Sequence, residues 1–242
     1  MDGNIARLKN VIDEAERIVL FTGAGVSVPS GIPDFRSAGG IYEGKFAGYD
    51  AEYMLSHSCL VNNTQLFFDF YKSKILYPDA QPNAAHLYFV ELERKGKLLS
   101  TVTQNIDGLH QAAGAKRVWE LHGSVKRNRC AKCGARYDEE FILASEGVPR
   151  CEKCGGVVRP CVVLYGENLD GDVLQGAVDD IARADVLIIA GTSLAVYPAA
   201  ALPDCFGGRE LVLINKTPTA RDDIATLTVY GDVAEVCRAL EG

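Results

Sequence analysis

Residues Ile18–Ser37 read IVLFTGAGVSVPSGIPDFRS. The four apolar residues Ile18-Val19-Leu20-Phe21 form the continuous run of a strand buried on both faces of a parallel sheet. Gly23-Ala24-Gly25 follows almost at once, as in a dinucleotide-binding loop. A Rossmann fingerprint has a third small residue at the sixth position, where a helix packs on the sheet. Here Val28 stands at that position, and the chain continues into Pro33-Asp34-Phe35-Arg36. A rigid ring, a carboxylate, an aromatic side chain and a guanidinium thus follow directly on what begins as a nucleotide loop.

Outward from this stretch, the pattern alternates. Apolar residues at Ile5, Leu8, Val11, Ile12 and Ala15 predict a helix over 4–17. Helices are also expected over 66–76, 84–92, 173–184 and 233–240. Strands are expected over 99–103, 117–121, 184–190, 210–215 and 227–230. Strand alternating with helix predicts an α/β fold: a Rossmann-like parallel sheet with helices on both faces. Five polar segments directly follow strands: the Gly23 loop, Gln104-Asn105, His122, Gly191-Thr192-Ser193 and Asn215. In an open α/β sheet, ligands sit outside the carboxyl ends of the strands. The alternation places residues 1–37, 83–125 and 158–242 in the Rossmann-like domain. A helical insert, 38–82, and a cysteine-bearing module, 126–157, interrupt it and are expected to form a smaller domain.

The formal net charge of −7 argues against a nucleic-acid-coating surface, which would be basic. No apolar run reaches the roughly 20 residues needed to span a bilayer. The polar, amphipathic N-terminus lacks the apolar core of a signal peptide, so a cytoplasmic protein is expected, with no membrane partner.

Four of the eight cysteines form two Cys-x-x-Cys pairs, Cys130/Cys133 and Cys151/Cys154, separated by 17 residues. Each pair can turn two thiolates toward one ion, and the spacing fits a four-cysteine zinc ribbon. With every coordination position filled by protein, a zinc ion there is structural. A redox dithiol and a nucleic-acid-binding ribbon are the rival readings, the second because Lys126, Arg127, Arg129, Lys132 and Arg136 make this half basic. The remaining four cysteines are scattered in apolar surroundings and read as buried thiols.

Taken in order, Gly23–Ser27, Gly31–Arg36, Gln104–Asp107, His122-Gly123, the four cysteines, Gly166-Glu167-Asn168 and Gly191–Leu194 resemble the sirtuins, NAD-dependent protein-lysine deacylases. The resemblance spans nearly the whole chain. It implies NAD as co-substrate and acyl-lysine side chains of proteins as partners. The loop Gly23, Ala24, Gly25 and Val28 would hold the cofactor, with Gly191, Thr192, Ser193, Asn215, Asp232 and Val233. Pro33, Asp34, Phe35 and Arg36 would fold over it, Phe35 shielding the ribose carbon from water. Gln104, Asn105, Ile106 and Asp107 would organise the ribose and nicotinamide pocket, although Asp107 also suits a helix cap. His122 matches the general base, and Asn105 is the second catalytic candidate. Val162, Val163, Gly166, Glu167, Asn168 and Val196 match the segments that hold the substrate peptide.

The chemistry so implied consumes NAD. The acyl oxygen of a modified lysine attacks the ribose carbon as nicotinamide leaves. His122 takes a proton from a ribose hydroxyl, and water releases free lysine and O-acyl-ADP-ribose. Members that remove acidic acyl groups carry a Tyr and an Arg three residues apart. Counting back from Gln81-Pro82-Asn83, those places hold Phe68 and Tyr71, so neutral acyl groups are expected, acetyl first. Mono-ADP-ribosyl transfer and a different acyl preference are the alternatives within NAD chemistry. A non-catalytic NAD- or nucleic-acid-binding module is the alternative outside it. Cys161 and Tyr165 depart from the usual pattern, the latter standing where Phe is common.

Overall fold

The computed structural model describes residues 2–35, 37 and 39–241. Helix α1 (Asp2–Glu14) leads into β1 (Ile18–Thr22), whose apolar run is wholly buried. Two 3₁₀ turns, Ala24–Val26 and Val28–Ser30, follow β1 where a dinucleotide fold has an α-helix. Short helices α2 (Ala51–Met54) and α3 (His57–Asn62) precede α4 (Thr64–Lys74). Then come α5 (Ala84–Arg94), β2 (Leu98–Thr103), α6 (Leu109–Ala113) and β3 (Val118–Glu120). An excursion holds β4 (Gly123–Cys130), β5 (Arg136–Tyr137), α7 (Glu139–Ala144) and β6 (Val158–Val162). The chain closes with α8 (Gly171–Arg183), β7 (Val186–Ala190), β8 (Glu210–Asn215), β9 (Leu227–Tyr230) and α9 (Val233–Glu241).

The main sheet is six-stranded and all-parallel, in the order β3-β2-β1-β7-β8-β9. This is the doubly wound arrangement, and its order reverses between β1 and β7. Alternate residues of the central strands feed two cores. Ile18, Leu20, Val186 and Ile188 pack with α1, α5 and α9, and Val19, Phe21, Leu187 and Ile189 pack with α8 and residues 199–202. The continuous apolar runs are therefore two alternating faces, each covered by helices.

Helix α1 stops three residues before the expected boundary. Lys97 Nζ donates to the carbonyls of Ile12, Asp13 and Ala15, and the Asp185 carboxylate accepts the N–H groups of Glu16 and Arg17. These partners satisfy the chain where it leaves the helix.

A second, antiparallel sheet has the order β5-β4-β6. It takes in residues 123–125 and 158–162, on the far side of both borders expected for the cysteine module. The knuckles need flanking strands to pair, and those strands are Gly123–Cys130 and Val158–Val162. Met54, Phe67, Phe68 and Tyr71 of the helical insert share one core with Val125, Ile142 and Val158.

His86 and His110 lie together behind β1, with ring centroids 4.8 Å apart and both side chains buried. The His110 Nε2–H donates to Thr22 Oγ1, whose hydroxyl donates onward to Thr103 Oγ1. Burial holds the His86 pKa down to about 4, against a partial pull upward from Asp107. Burial, and then His86, hold His110 down to about 3. Both folded values lie below the unfolded value of about 6.5, so the unfolded chain takes up the extra protons and stability is lost as pH falls below 6.5. Each histidine costs about 1.4 kcal/mol per pH unit, together about 4 kcal/mol at pH 5. The depressed carboxylates Glu167 and Asp180 contribute only at lower pH. The unfolding free energy from urea titrations is expected to fall by at least that amount between pH 7.5 and pH 5, with His122, also lowered by burial, adding to the loss, and His110→Gln is expected to flatten the profile.

Candidate active site

The order reversal puts the ends of β1 and β7 side by side. The loops that follow them touch through glycine. Gly25 N–H donates to Gly191 O at 2.8 Å, and a Cβ on Gly25 would lie 2.8 Å from Gly191 Cα. Gly191 has φ +62°, and a Cβ there would lie 2.5 Å from Val26 N. Glycine at these positions lets the two loops pack against each other, and Gly23, Gly25 and Gly191 also line the cleft above them. This packing leaves the N–H groups of Ala24, Thr192 and Ser193 with no acceptor among the described residues, and all three residues line the cleft above. Such a cluster of unpaired donors with a Thr and a Ser hydroxyl suits a diphosphate.

Asn105 follows β2 and is buried. Its Nδ2 donates to Gly23 O and Ser27 Oγ, both at 3.1 Å, and its N–H to Thr103 Oγ1. Its side-chain carbonyl oxygen, Oδ1, accepts no hydrogen bond among the described residues. Ser27 donates to Asp107 Oδ2 at 2.7 Å, and Asp107 Oδ1 accepts Leu109 N–H at 2.8 Å, ahead of α6. Asp107 thus braces Asn105 through Ser27 and caps α6, and it does not line the cleft.

His122 lies between β3 and β4. Its Nδ1–H donates to Gln104 O at 2.9 Å, which leaves the Nε2 lone pair facing the cleft. Burial lowers its pKa, against the opposing pull of that backbone hydrogen bond, so the imidazole is neutral at pH 7. Only glycine can follow it: Gly123 has φ +75°, and a Cβ would lie 2.0 Å from Cys161 O.

These segments enclose a cleft of about 990 Å³. Val28, Pro33, Asp34, Phe35, Gln104 and Ile106 line it, as do Asn215, Asp232 and Val233 from the β8 and β9 ends. Val162, Val163, Gly166, Glu167 and Val196 line it from the peptide segments, whereas Asn168 does not. Arg36 lies outside the described residues. Two lining residues carry structural bonds. Asp232 caps α9 through Ala234 N–H and Glu235 N–H, and Glu167 is gripped by Arg159, His57 and Leu164 N–H. Burial would raise the Glu167 pKa, but those partners hold it at about 2. Sequence reasoning passed over Tyr42, Lys216 and Thr217, which also line the cleft. Lys216 and Thr217 directly follow Asn215 past the end of β8, and that position was the available signal.

Away from the cleft, the Sγ atoms of Cys130, Cys133, Cys151 and Cys154 all lie within 4.8 Å of one another. Cys130 and Cys154 are 3.4 Å apart, and Cys133 and Cys151 are 3.6 Å apart. Zn–S bonds of about 2.3 Å in a tetrahedron set the sulfur–sulfur edges at about 3.8 Å. The four thiols fit one zinc ion, with every position filled.

A model of the Sir2 family matches residues 23–198. The chain belongs to the Sir2 family. It is 53% identical over 238 residues to the NAD-dependent protein deacetylase of Clostridium perfringens (strain 13 / Type A), covering 98% of each chain. It superposes on a Sir2 complex with deacetylated p53 peptide and 3′-O-acetyl ADP ribose at TM-score 0.90 and 40% identity, covering 98% of this chain and 96% of that one. A Sir2 complex with p53 peptide and NAD⁺ matches at TM-score 0.86 and 40% identity, with 97% and 95% covered. In this Sir2 chain the Gly23 and Gly191 loops, Asn105, His122 and Phe35 open onto a single cavity, and the four cysteines stand outside it.

Proposed function

We propose that this Sir2 chain is an NAD-dependent protein-lysine deacetylase, giving nicotinamide, O-acetyl-ADP-ribose and free lysine. The observation that carries this reading is His122: its Nδ1–H is tied to Gln104 O, and its free Nε2 opens on the same cleft as the unpaired N–H groups of Ala24, Thr192 and Ser193. Its likeness to the Clostridium perfringens deacetylase and to Sir2 complexes with peptide supports the reaction class. NAD, when bound, supplies an electrophilic ribose carbon and the hydroxyls that carry the acyl group away. The protein holds the diphosphate on the two glycine loops and the adenosine ribose beside Asn215, Asp232 and Val233. It orients the nicotinamide ribose with the Asn105 carbonyl oxygen, with Asp107 acting through Ser27. Phe35 excludes water, and Asp34 steadies its loop by accepting from Ser37 N–H. His122 Nε2 takes the ribose hydroxyl proton. The acyl-lysine passes Val162 and Val163, and its peptide lies along the segments at Gly166 and Val196 as an added strand.

In this reading the parallel sheet and the helices on its faces make up the nucleotide domain, and residues 38–82 with the antiparallel sheet of β4, β5 and β6 the smaller one. Zinc on Cys130, Cys133, Cys151 and Cys154 holds the β4–β6 module and takes no part in the chemistry. A cytoplasmic location belongs to the same reading, since four thiolate ligands survive in a reducing compartment. No described helix is long and apolar enough to cross a membrane.

Neutral acyl groups are the substrates. Phe68 and Tyr71 are fully buried, and Lys216 is the one lysine or arginine among the described residues lining the cleft. A succinyl carboxylate would find no guanidinium to pair with. Incubating an acetyl-lysine peptide with and without NAD, read by mass spectrometry, is expected to give strictly NAD-dependent deacetylation. On a matched succinyl peptide the rate is expected to be at least about tenfold lower, the cost of one unpaired buried charge being about 1.4 kcal/mol or more. Deacetylation without NAD overturns the reaction class, label left on the protein favours ADP-ribosyl transfer, and preferential desuccinylation overturns the acyl assignment.

A further inference from the structure

Two tyrosines meet across the mouth of the cleft. Tyr42 lies in the loop that carries Phe35, Tyr165 follows β6, both line the cavity, and their hydroxyls are hydrogen-bonded to each other. The two sides are held very differently. Tyr165 is built into the frame: its N–H donates to Leu55 O at 3.0 Å and its carbonyl accepts His57 N–H at 2.9 Å, bridging it to Ser56 between α2 and α3. Two residues on, Glu167 is locked by Arg159. By contrast, between Gly31 and Asp50 the described residues form no helix or strand beyond the isolated bridge Phe46–Tyr49. In that loop the Phe35 ring packs edge-on against Tyr42 at 5.5 Å, and Tyr42 N–H donates to Phe35 O at 2.9 Å.

We propose that Tyr165 is a positioning residue that latches Tyr42 and, through it, holds Phe35 over the cleft. The proposal rests on the deacetylase reading for its consequence, because the ring is then what keeps water from the ribose carbon. A phenylalanine at 165 fills the same space and cannot make the hydroxyl pair. When the loop opens, a water oxygen bonds to the ribose carbon as the bond to nicotinamide breaks, and the proton of that water goes to solvent. The products are ADP-ribose and nicotinamide, with no lysine freed. One neutral hydrogen bond shifts an open–closed balance by about two- to tenfold.

Tyr165→Phe, Tyr42→Phe and the double variant, made in the full chain, test this. Lys45 is exposed in the same loop, so trypsin cleavage after Lys45 reads loop opening without any ligand. Both single variants are expected to be cleaved about two- to tenfold faster than wild type. The KM for NAD is expected to rise by more than kcat falls, and nicotinamide released per lysine freed to climb above one. The double variant is expected to match the singles, since either change breaks the same contact. A wild-type protein without NAD-dependent deacetylation sinks the deacetylase reading, while the trypsin rates still read the latch. With wild type active, unchanged cleavage and unchanged KM in Tyr165→Phe overturn the latch, as do additive effects in the double variant.

Discussion

Replacing His122 with alanine is expected to lower deacetylation of an acetyl-lysine peptide by about 10²- to 10⁴-fold, the usual contribution of a positioned general base. The imidazole is held at one nitrogen by Gln104 O, so its other nitrogen meets the cleft with a fixed tautomer. In the proposed order of events the proton is taken after nicotinamide has left. Peptide-dependent exchange of labelled nicotinamide into NAD is therefore expected to fall much less than product formation. A pH profile separates this role from a structural one. Burial lowers the His122 pKa below its ordinary value, so the catalytic form persists on mild acidification and the rate falls only through a pKa below 6.5. His122→Asn keeps the shape and removes the base; it is expected to lose turnover and keep its melting temperature. A variant that retains more than about a tenth of wild-type turnover at pH 7 shows that His122 is not the base.

The parts of this protein that could be read from sequence are those where one physical demand acts on neighbouring residues. The runs Ile18–Phe21 and Val186–Ala190 must be apolar at every position because helices cover both faces of the sheet. Their ends could be found because glycine and polar residues follow at once. Asn105 and His122 stood out because each follows a strand end and belongs to an ordered set of motifs. Other features depend on residues distant in sequence. Strand β4 alternates poorly and carries Lys126, Arg127 and Arg129, so only its pairing with β5 and β6 identifies it. The end of α1 is fixed by Lys97 and Asp185. The role of Asp107 needs Ser27, 80 positions away, to be visible. Tyr42 and Lys216 reach the cleft from loops whose paths no periodicity dictates.

Removing zinc is expected to be the most damaging single change to the smaller sheet. Structural zinc sites contribute about 10–16 kcal/mol of apparent binding energy in small modules at pH 7, as much as the whole stability of many domains. Cys130 ends β4 and Cys151 precedes β6, so the ion ties the two sides of that sheet beyond what the β4–β6 ladder supplies. Cys130→Ala and Cys151→Ala, or dialysis against a strong chelator, are therefore expected to take bound zinc from one per chain to none. Melting temperature is expected to fall by more than about 10 °C, well over the few degrees that 1 kcal/mol produces in a chain of this size. Val158 and Val162 of β6 pack in the core shared with α4, and Val162 also lines the cleft, so activity is expected to fall with the metal. The parallel sheet, whose cores use none of the four cysteines, is expected to keep its helical and strand signal in circular dichroism. Cobalt(II) substitution distinguishes a structural ion from a reactive one. With four protein ligands there is no open position, so cobalt is expected to restore stability and turnover together. Turnover that changes with the identity of the metal while stability does not would mean that a ligand position opens to substrate.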